Sequence, residues 1–381
     1  MKKLNRRSFM KKGSTMVAGG YIAGSTMDLL GTTDSDEKEN KNPVNYRILG
    51  NTKLKVSEVG YGAMRTKDAA VIQYALDLGI NFIDTAHVYQ GGNNEILVGT
   101  VIAPRRKDVI LCTKIRRGDK KELIRDFETS LKRLRTDYVD ILYYHSMKNI
   151  SHIHDDVAME LFSQWKKEGR IRFTGFSTHS NEAELLNQAA EDKFWDVILV
   201  AYNFKKEKEL TDAINKAAAA GIGIVAMKTQ AGGYKTEEMG SLSPHQAALK
   251  WVLQNQNVHT TIPSMATFDE LEEDIQVMGQ PMGWRERKTL YHYGESIDRR
   301  YCRSCGACKS MCPNGVDIPE VNRCYMYLDG YRDAELAHVN YGSLSVAHNA
   351  RSCESCDKCS AQCKYGIDLE KRMPAMNALL G

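Results

Sequence analysis

The chain has 381 residues, 42% hydrophobic and 26% charged, which excludes a disordered chain and leaves room for two domains with cores of their own. Its net charge of +4 has a local origin: residues 1–27 carry six basic side chains and no acid, leaving 46 basic against 48 acidic residues elsewhere. The body is close to neutral, which excludes the basic footprint of a nucleic-acid binder.

At the N-terminus, Lys2, Lys3, Arg6, Arg7, Lys11 and Lys12 precede a charge-free run over residues 13–27. That run is too short and too rich in glycine to span a bilayer, which needs about 20 apolar residues, so no transmembrane segment is expected. A basic start before a short apolar stretch reads as an export signal. Arg6-Arg7-Ser8-Phe9-Met10-Lys11 resembles the twin-arginine motif. That resemblance implies passage of an already folded protein into the periplasm; if the signal is unused, the chain stays cytoplasmic. The signal segment is assigned to residues 1–30. Residues 31–45 are polar, without apolar period, and read as a linker.

From residue 46 to 285, strand-like and helix-like segments alternate. Strands are expected at 56–64, 81–86, 108–115, 138–145, 171–177, 195–202, 223–228 and 260–265. Several are nearly continuous apolar runs, as parallel strands buried on both faces should be. Between them, Leu123, Phe127, Leu131 and Leu134 recur at helical spacing over 121–135, and Ala247, Ala248, Trp251 and Val252 over 243–254. Gly79, Gly169 and Gly221 mark helix ends. Eight such units in this length fit an α/β fold, a (β/α)8 TIM barrel. A doubly wound sheet is the alternative, but no G-x-G-x-x-G follows the first strand.

A barrel places its chemistry at the C-terminal strand ends. There stand Asp84-Thr85-Ala86-His87-Val88-Tyr89, then Lys114, then His145. Gly92-Asn93-Asn94-Glu95 follows the tyrosine, and Gly175-Phe176-Ser177 ends the fifth strand. In order and approximate spacing these residues resemble the aldo-keto reductase family over residues 46–280. Hydride addition to a carbonyl leaves an alkoxide that needs a proton, and a tyrosine near pKa 10 is a poor acid unless a neighbouring ammonium lowers it. Tyr89 is therefore read as proton donor, Lys114 and Asp84 as its tuners, and His145 as the neutral group that orients the carbonyl.

The resemblance also implies a nicotinamide cofactor, NAD or NADP, across the barrel mouth. The matching positions are Gly62, Met64, Ser177, Lys228, Ser264 and Met265. Where the family usually has a lysine and an arginine for the 2′-phosphate of NADP, this chain has Ser264 and Glu270, and a glutamate there repels a phosphate. Thr178, Leu199 and Met227 stand where the family usually has carboxamide-binding and ring-stacking side chains. Lys228 is unusual at a strand end and suits a cofactor phosphate or a substrate anion.

Eight of the ten cysteines fall at the C-terminal end. Cys302, Cys305, Cys308 and Cys312, followed by Pro313, match the bacterial ferredoxin run, and Cys353, Cys356, Cys359 and Cys363 repeat it. The repeat extends to Asn314-Gly315-Val316-Asp317-Ile318 and Tyr365-Gly366-Ile367-Asp368-Leu369. Two 4Fe-4S clusters are expected, with zinc as the alternative for eight cysteines. Likeness to two-cluster ferredoxins implies that each run lends its fourth cysteine to the other cluster. The sets are then Cys302, Cys305, Cys308 and Cys363, and Cys353, Cys356, Cys359 and Cys312. The long spacer, with helices expected at 319–328 and 331–337, points to a small, mainly α-helical ferredoxin-like domain over 286–381. Cys112 and Cys324 read as buried small apolar side chains.

A barrel of this kind joined to such a domain resembles an aldo-keto reductase subfamily with a C-terminal dicluster module. That resemblance implies an enzyme, an oxidoreductase that reduces a carbonyl or oxidises an alcohol, with the clusters as electron relay or structural element. The small-molecule substrate and a redox partner protein are the expected partners. The alternatives are an electron-transfer or partner-binding iron-sulfur protein whose barrel does not turn over nicotinamide, and a redox enzyme with another cofactor.

Overall fold

A hairpin opens the molecule: β1 (Tyr46–Ile48) pairs antiparallel with β2 (Lys55–Ser57), Tyr46 opposite Ser57. A computed structural model describes residues 44–234 and 242–381, and the expected signal and most of the linker lie outside them. Eight strands then form one parallel sheet: β3 (Tyr61–Gly62), β4 (Phe82–Asp84), β5 (Ile110–Ile115), β6 (Val139–Met147), β7 (Ile171–Thr178), β8 (Val197–Ala201), β9 (Gly223–Met227) and β10 (Thr260–Thr261). They pair in chain order, and parallel bridges Val59–Thr261 and Gly62–Ser264 join the two edges, so the sheet closes into a barrel. Closure excludes the open doubly wound sheet.

Gly62 makes closure possible. A Cβ there would stand 2.7 Å from Ile262 O and 2.8 Å from Pro263 O, distances no side chain tolerates. The interior holds Phe82, Cys112, Ile141, Tyr143, Val197, Leu199 and Val225. Leu49, Leu54 and Val56 of the hairpin join this cluster and plug the bottom. A second apolar layer lies between strands and surrounding helices, where Leu123, Phe127, Leu131 and Leu134 of the helix Lys120–Leu134 are all buried. Asp119 and Glu122 close that helix's first turn as a reciprocal cap.

Two strand expectations shrink. The segment 56–64 is split between β2 and β3. The segment 260–265 keeps only two strand residues, because Pro263 has no N–H for the ladder. The barrel helix at 243–254 forms as Pro244–Leu253.

Beyond residue 283 the α-helices are Trp284–Ile297, Ile318–Asp329, Ala334–Gly342 and Leu369–Leu380, and no strand lies among the described residues there. The cysteine repeat has a structural counterpart. Gly315 and Gly366 both take left-handed backbone (φ 68° and 79°), and a helix starts three residues after each. The helix expected at 331–337 begins later, at Ala334, where Asp333 caps the Leu336 N–H, which leaves Tyr331 outside it. Cys112 and Cys324 are buried, as read. All described residues belong to one compact unit. A mixed core joins barrel-top residues such as Ala231 and Tyr234 to Val321, Tyr327, Met373 and Met376. Gly330 packs on the Gly232 carbonyl so closely that a Cβ would overlap it. No helix among the described residues is long and apolar enough to cross a membrane.

Candidate active site and cysteine centres

The four strand-end residues converge at one mouth. Asp84 ends β4, Lys114 lies on β5 and His145 on β6. Lys114 Nζ donates to Asp84 Oδ2 and, at 2.7 Å, to Thr85 O. The same ammonium lies 4.9 Å from the Tyr89 ring centroid. The Tyr89 and His145 rings meet edge to face at 6.1 Å. Tyr89 is presented by a tight turn: Gln90, Gly91 and Gly92 all have positive φ, and Gln90 Nε2 donates to Met64 O and Thr66 O at 3.0 and 2.9 Å.

The residues after the tyrosine brace this mouth. Asn94 is buried, accepts from Thr85 Oγ1 at 2.6 Å and donates to Ala63 O at 2.7 Å, tying two strand ends together. Glu95, also buried, accepts from Thr113 Oγ1 at 2.6 Å and faces Arg133 at 3.3 Å.

Electrostatics assign the protonation states. Burial alone disfavours the Lys114 ammonium, but Asp84 and Tyr89 outweigh it and hold the lysine above its ordinary pKa. Burial pushes the Tyr89 phenol up, and Lys114 opposes without winning. The expectation that Lys114 would bring Tyr89 below its ordinary value is therefore corrected, because desolvation of the phenolate is the larger effect. His145 is driven well below its ordinary value by burial, then by Lys114, Arg116 and Arg323, so its imidazole is neutral. Its Nδ1 is buried without a hydrogen-bond partner.

The eight-stranded closed barrel and this tetrad decide the relationship, and residues 48–241 match the sequence profile described as the Aldo/keto reductase family. The chain belongs to that family. Among similar proteins, an uncharacterized oxidoreductase of Bacillus subtilis, YqkF, is 38% identical over 149 residues, 35% of this chain and 48% of the relative. The chain thus spans about half the length of that relative. L-galactose dehydrogenase of Arabidopsis thaliana is 27% identical over 61% of this chain and 87% of its own. Of solved structures, a holo aldo-keto reductase of Bacillus halodurans superposes with a TM-score of 0.56 at 24% identity, covering 65% of this chain and 96% of that one. An aldo/keto reductase of Klebsiella pneumoniae, solved with NADP and acetate, gives 0.54 at 22% identity, covering 64% and 93%. Both likenesses concern the fold.

The remaining aldo/keto reductase positions divide. Ser264 lines a cleft of about 450 Å³ with Arg65, Glu270, Asp274, Tyr331 and Arg332. Its Oγ accepts from the Arg65 N–H at 3.1 Å. Glu270 is engaged on both oxygens, by Arg65 at 3.2 Å and by the Ala266 N–H at 2.7 Å. Ser177 is buried and accepts from the Ser146 N–H at 2.9 Å, bracing β6 against β7. Gly62 serves closure, Met64 packs under the mixed core, and the Met265 side chain is wholly buried in the barrel's outer core. Lys228 stands at the mouth, 3.1 Å from Tyr327 Oη.

Sequence reasoning missed the contribution of the helix Ile318–Asp329. Its Arg323 and Tyr327, four residues apart on one face, reach the mouth. Arg323 Nη1 lies 3.2 and 3.1 Å from the two ring nitrogens of His179, and Arg323 also pairs with Glu320. The only hint was helical periodicity in a segment attributed to the cysteine domain. Asn203, which bridges Lys228 O and Tyr301 Oη at 2.9 Å each, was also missed.

None of the eight C-terminal cysteines is paired in a disulfide. Burial pushes the Cys302 thiol up to about 12, and Cys308, Cys363 and Cys305 are its neighbours. Burial pushes Cys353 up to about 11, with Cys312, Cys356 and Cys359 as neighbours. Cys312, Cys353, Cys356 and Cys359 line one cavity of about 140 Å³. Among the described residues, no group of three or more His, Cys, Asp or Glu is placed to hold a metal ion.

Proposed function

We propose that this protein is an exported oxidoreductase that interconverts a small carbonyl compound and its alcohol with a nicotinamide cofactor, and that its C-terminal cysteines carry two 4Fe-4S clusters. The observation that carries the catalytic reading is the junction of Tyr89, Lys114, Asp84 and His145 at one barrel mouth.

Bound nicotinamide supplies or accepts the hydride. Everything else falls to the chain. Tyr89 keeps its phenolic proton at neutral pH, the form able to donate to a carbonyl oxygen. The Lys114 ammonium, anchored by Asp84, stabilises the phenolate left behind. Neutral His145, with an unpartnered ring nitrogen, hydrogen-bonds the carbonyl oxygen and fixes its direction. The cleft at Ser264 fits the adenosine side of the cofactor, and its solvent-accessible acids, Asp269, Glu270 and Glu273, suit ribose hydroxyls better than a 2′-phosphate. NAD is therefore the preferred cofactor. Tyr89→Phe removes the proton donor and lowers kcat for carbonyl reduction by about 100-fold or more. Near-parental turnover in stopped assays would remove Tyr89 from that role.

The cluster reading rests on the grouping of thiols. Each of the two neighbourhoods takes three cysteines from one run and the fourth from the other, the crossed arrangement of two-cluster ferredoxins. Bound clusters would supply one-electron transfer, or would simply staple a domain of this size. Protein purified without oxygen should contain about eight irons per chain, with broad absorbance that bleaches on reduction. Zinc in place of iron would reject this part of the proposal.

A further inference from the structure

The barrel mouth carries more positive charge than carbonyl reduction requires. Lys114 is matched by Asp84, and Lys206 by Glu182. Lys228 has no carboxylate partner among the described residues. Its ammonium contacts Tyr327 Oη at 3.1 Å and lies 4.6 Å and 5.4 Å from the ring centroids of Tyr327 and Tyr331. Its backbone is left-handed at φ 56°, an uncommon conformation for a lysine. Among the described residues Arg323, carried in from the C-terminal helix, has one ion pair, to Glu320, and its Nε is buried without a partner. Arg116, on the rim just after β5, lies close enough to Arg323 for the two like charges to disfavour each other. Both histidines of the mouth, His145 and His179, are held neutral, so neither adds a charge of its own. Charge left unmatched around a catalytic tetrad, with buried donor atoms unused, is the imprint of an anionic ligand.

We propose that the substrate is an oxo acid, or the corresponding hydroxy acid, whose carboxylate is held by Lys228 and Arg323 while its carbonyl faces Tyr89 and His145. This rests on the carbonyl-reductase reading above and adds the substrate class. It also gives the C-terminal domain a part in the active site, since Arg323 and Tyr327 both come from it. Reduction then balances as hydride to the carbonyl carbon and the Tyr89 proton to its oxygen, with the carboxylate unchanged.

The test uses the full chain purified without oxygen, titrated calorimetrically with oxamate and with its neutral analogue oxamide, with and without NADH. Oxamate should bind at least about tenfold more tightly than oxamide. Lys228→Met and Arg323→Met should each weaken oxamate by about tenfold or more and leave oxamide unaffected. NADH affinity should stay within about twofold. Lys228→Met is the decisive variant, because it breaks no ion pair. The inference is overturned if oxamide binds as well as oxamate, or if Lys228→Met leaves oxamate affinity unchanged. It is also overturned if the variants lose NADH but keep oxamate, which would assign the cations to the cofactor's pyrophosphate. Tyr89→Phe should keep oxamate binding while losing turnover. Turnover that survives Tyr89→Phe counts against the reductase reading alone, whatever oxamate does.

Discussion

At the scale of single residues, the mouth is governed by what burial does to charge. Tyr89 lies in a setting where the phenolate is costly, and Lys114 offsets only part of that cost. The sign of the effect dictates a pH profile. A phenol whose pKa is raised stays protonated, and so competent to donate, through neutral pH and beyond its ordinary value of about 10. Neutral His145 sets no limit on the acid side until well below about 6.5. Carbonyl reduction, measured as kcat/KM, should be flat from about pH 6.5 to about pH 9, while alcohol oxidation, which needs the phenolate, climbs with pH over the same range. A descending limb for reduction centred near neutrality would contradict the assignment. The tetrad was legible in the sequence because each member follows an apolar strand, and strand ends map to one rim in any closed parallel barrel. The shift of Tyr89 was not legible, since it depends on how completely other elements cover the ring.

At the scale of elements, the barrel follows from short apolar strands, and its weak point is the seam. β3 and β10 have only two residues each, and the seam between them rests on the bridges Val59–Thr261 and Gly62–Ser264. Gly62 lets the two backbones meet. Gly62→Val should therefore destabilise the protein by about 2 kcal/mol or more, read as a lower denaturant midpoint. An unchanged midpoint would mean the seam is more pliant than its geometry implies. The short β10 could be anticipated from Pro263, and the late start of the helix Ala334–Gly342 from Asp333 as a cap. The role of the helix Ile318–Asp329 could not. Its amphipathic pattern says that one face is buried, but not that the face covers a barrel mouth whose residues, Lys228 and His179 among them, lie 99 and 144 residues back in the chain from their partners.

At the scale of the whole molecule, the C-terminal region is part of the same unit as the barrel rather than an appendage. Lys148 pairs with Asp317 at 3.1 Å, Lys205 donates to Gly294 O at 3.1 Å, and Arg65 stacks on Tyr331 at 5.3 Å. If the protein carries the proposed clusters, it must leave the cytoplasm folded if it leaves at all. The twin-arginine reading of Arg6 and Arg7 fits that need, and it lies outside the described residues. Replacing both by lysine should trap the protein in the cytoplasm, as cell fractionation would reveal. Equal periplasmic recovery of parent and variant would set the signal reading aside.

The sequence by itself determined the alternation that makes a barrel, the order of the four strand-end side chains and the doubled cysteine run. Each is encoded in spacing along the chain, and local periodicity carries spacing faithfully. Tertiary structure alone decided that Arg323, Tyr327 and Tyr331 cover the mouth and that Lys228 has no carboxylate partner among the described residues. It also decided that burial, not the neighbouring ammonium, sets the state of Tyr89. These depend on which surfaces meet across long stretches of chain, and desolvation is a property of the packed whole that no single segment records.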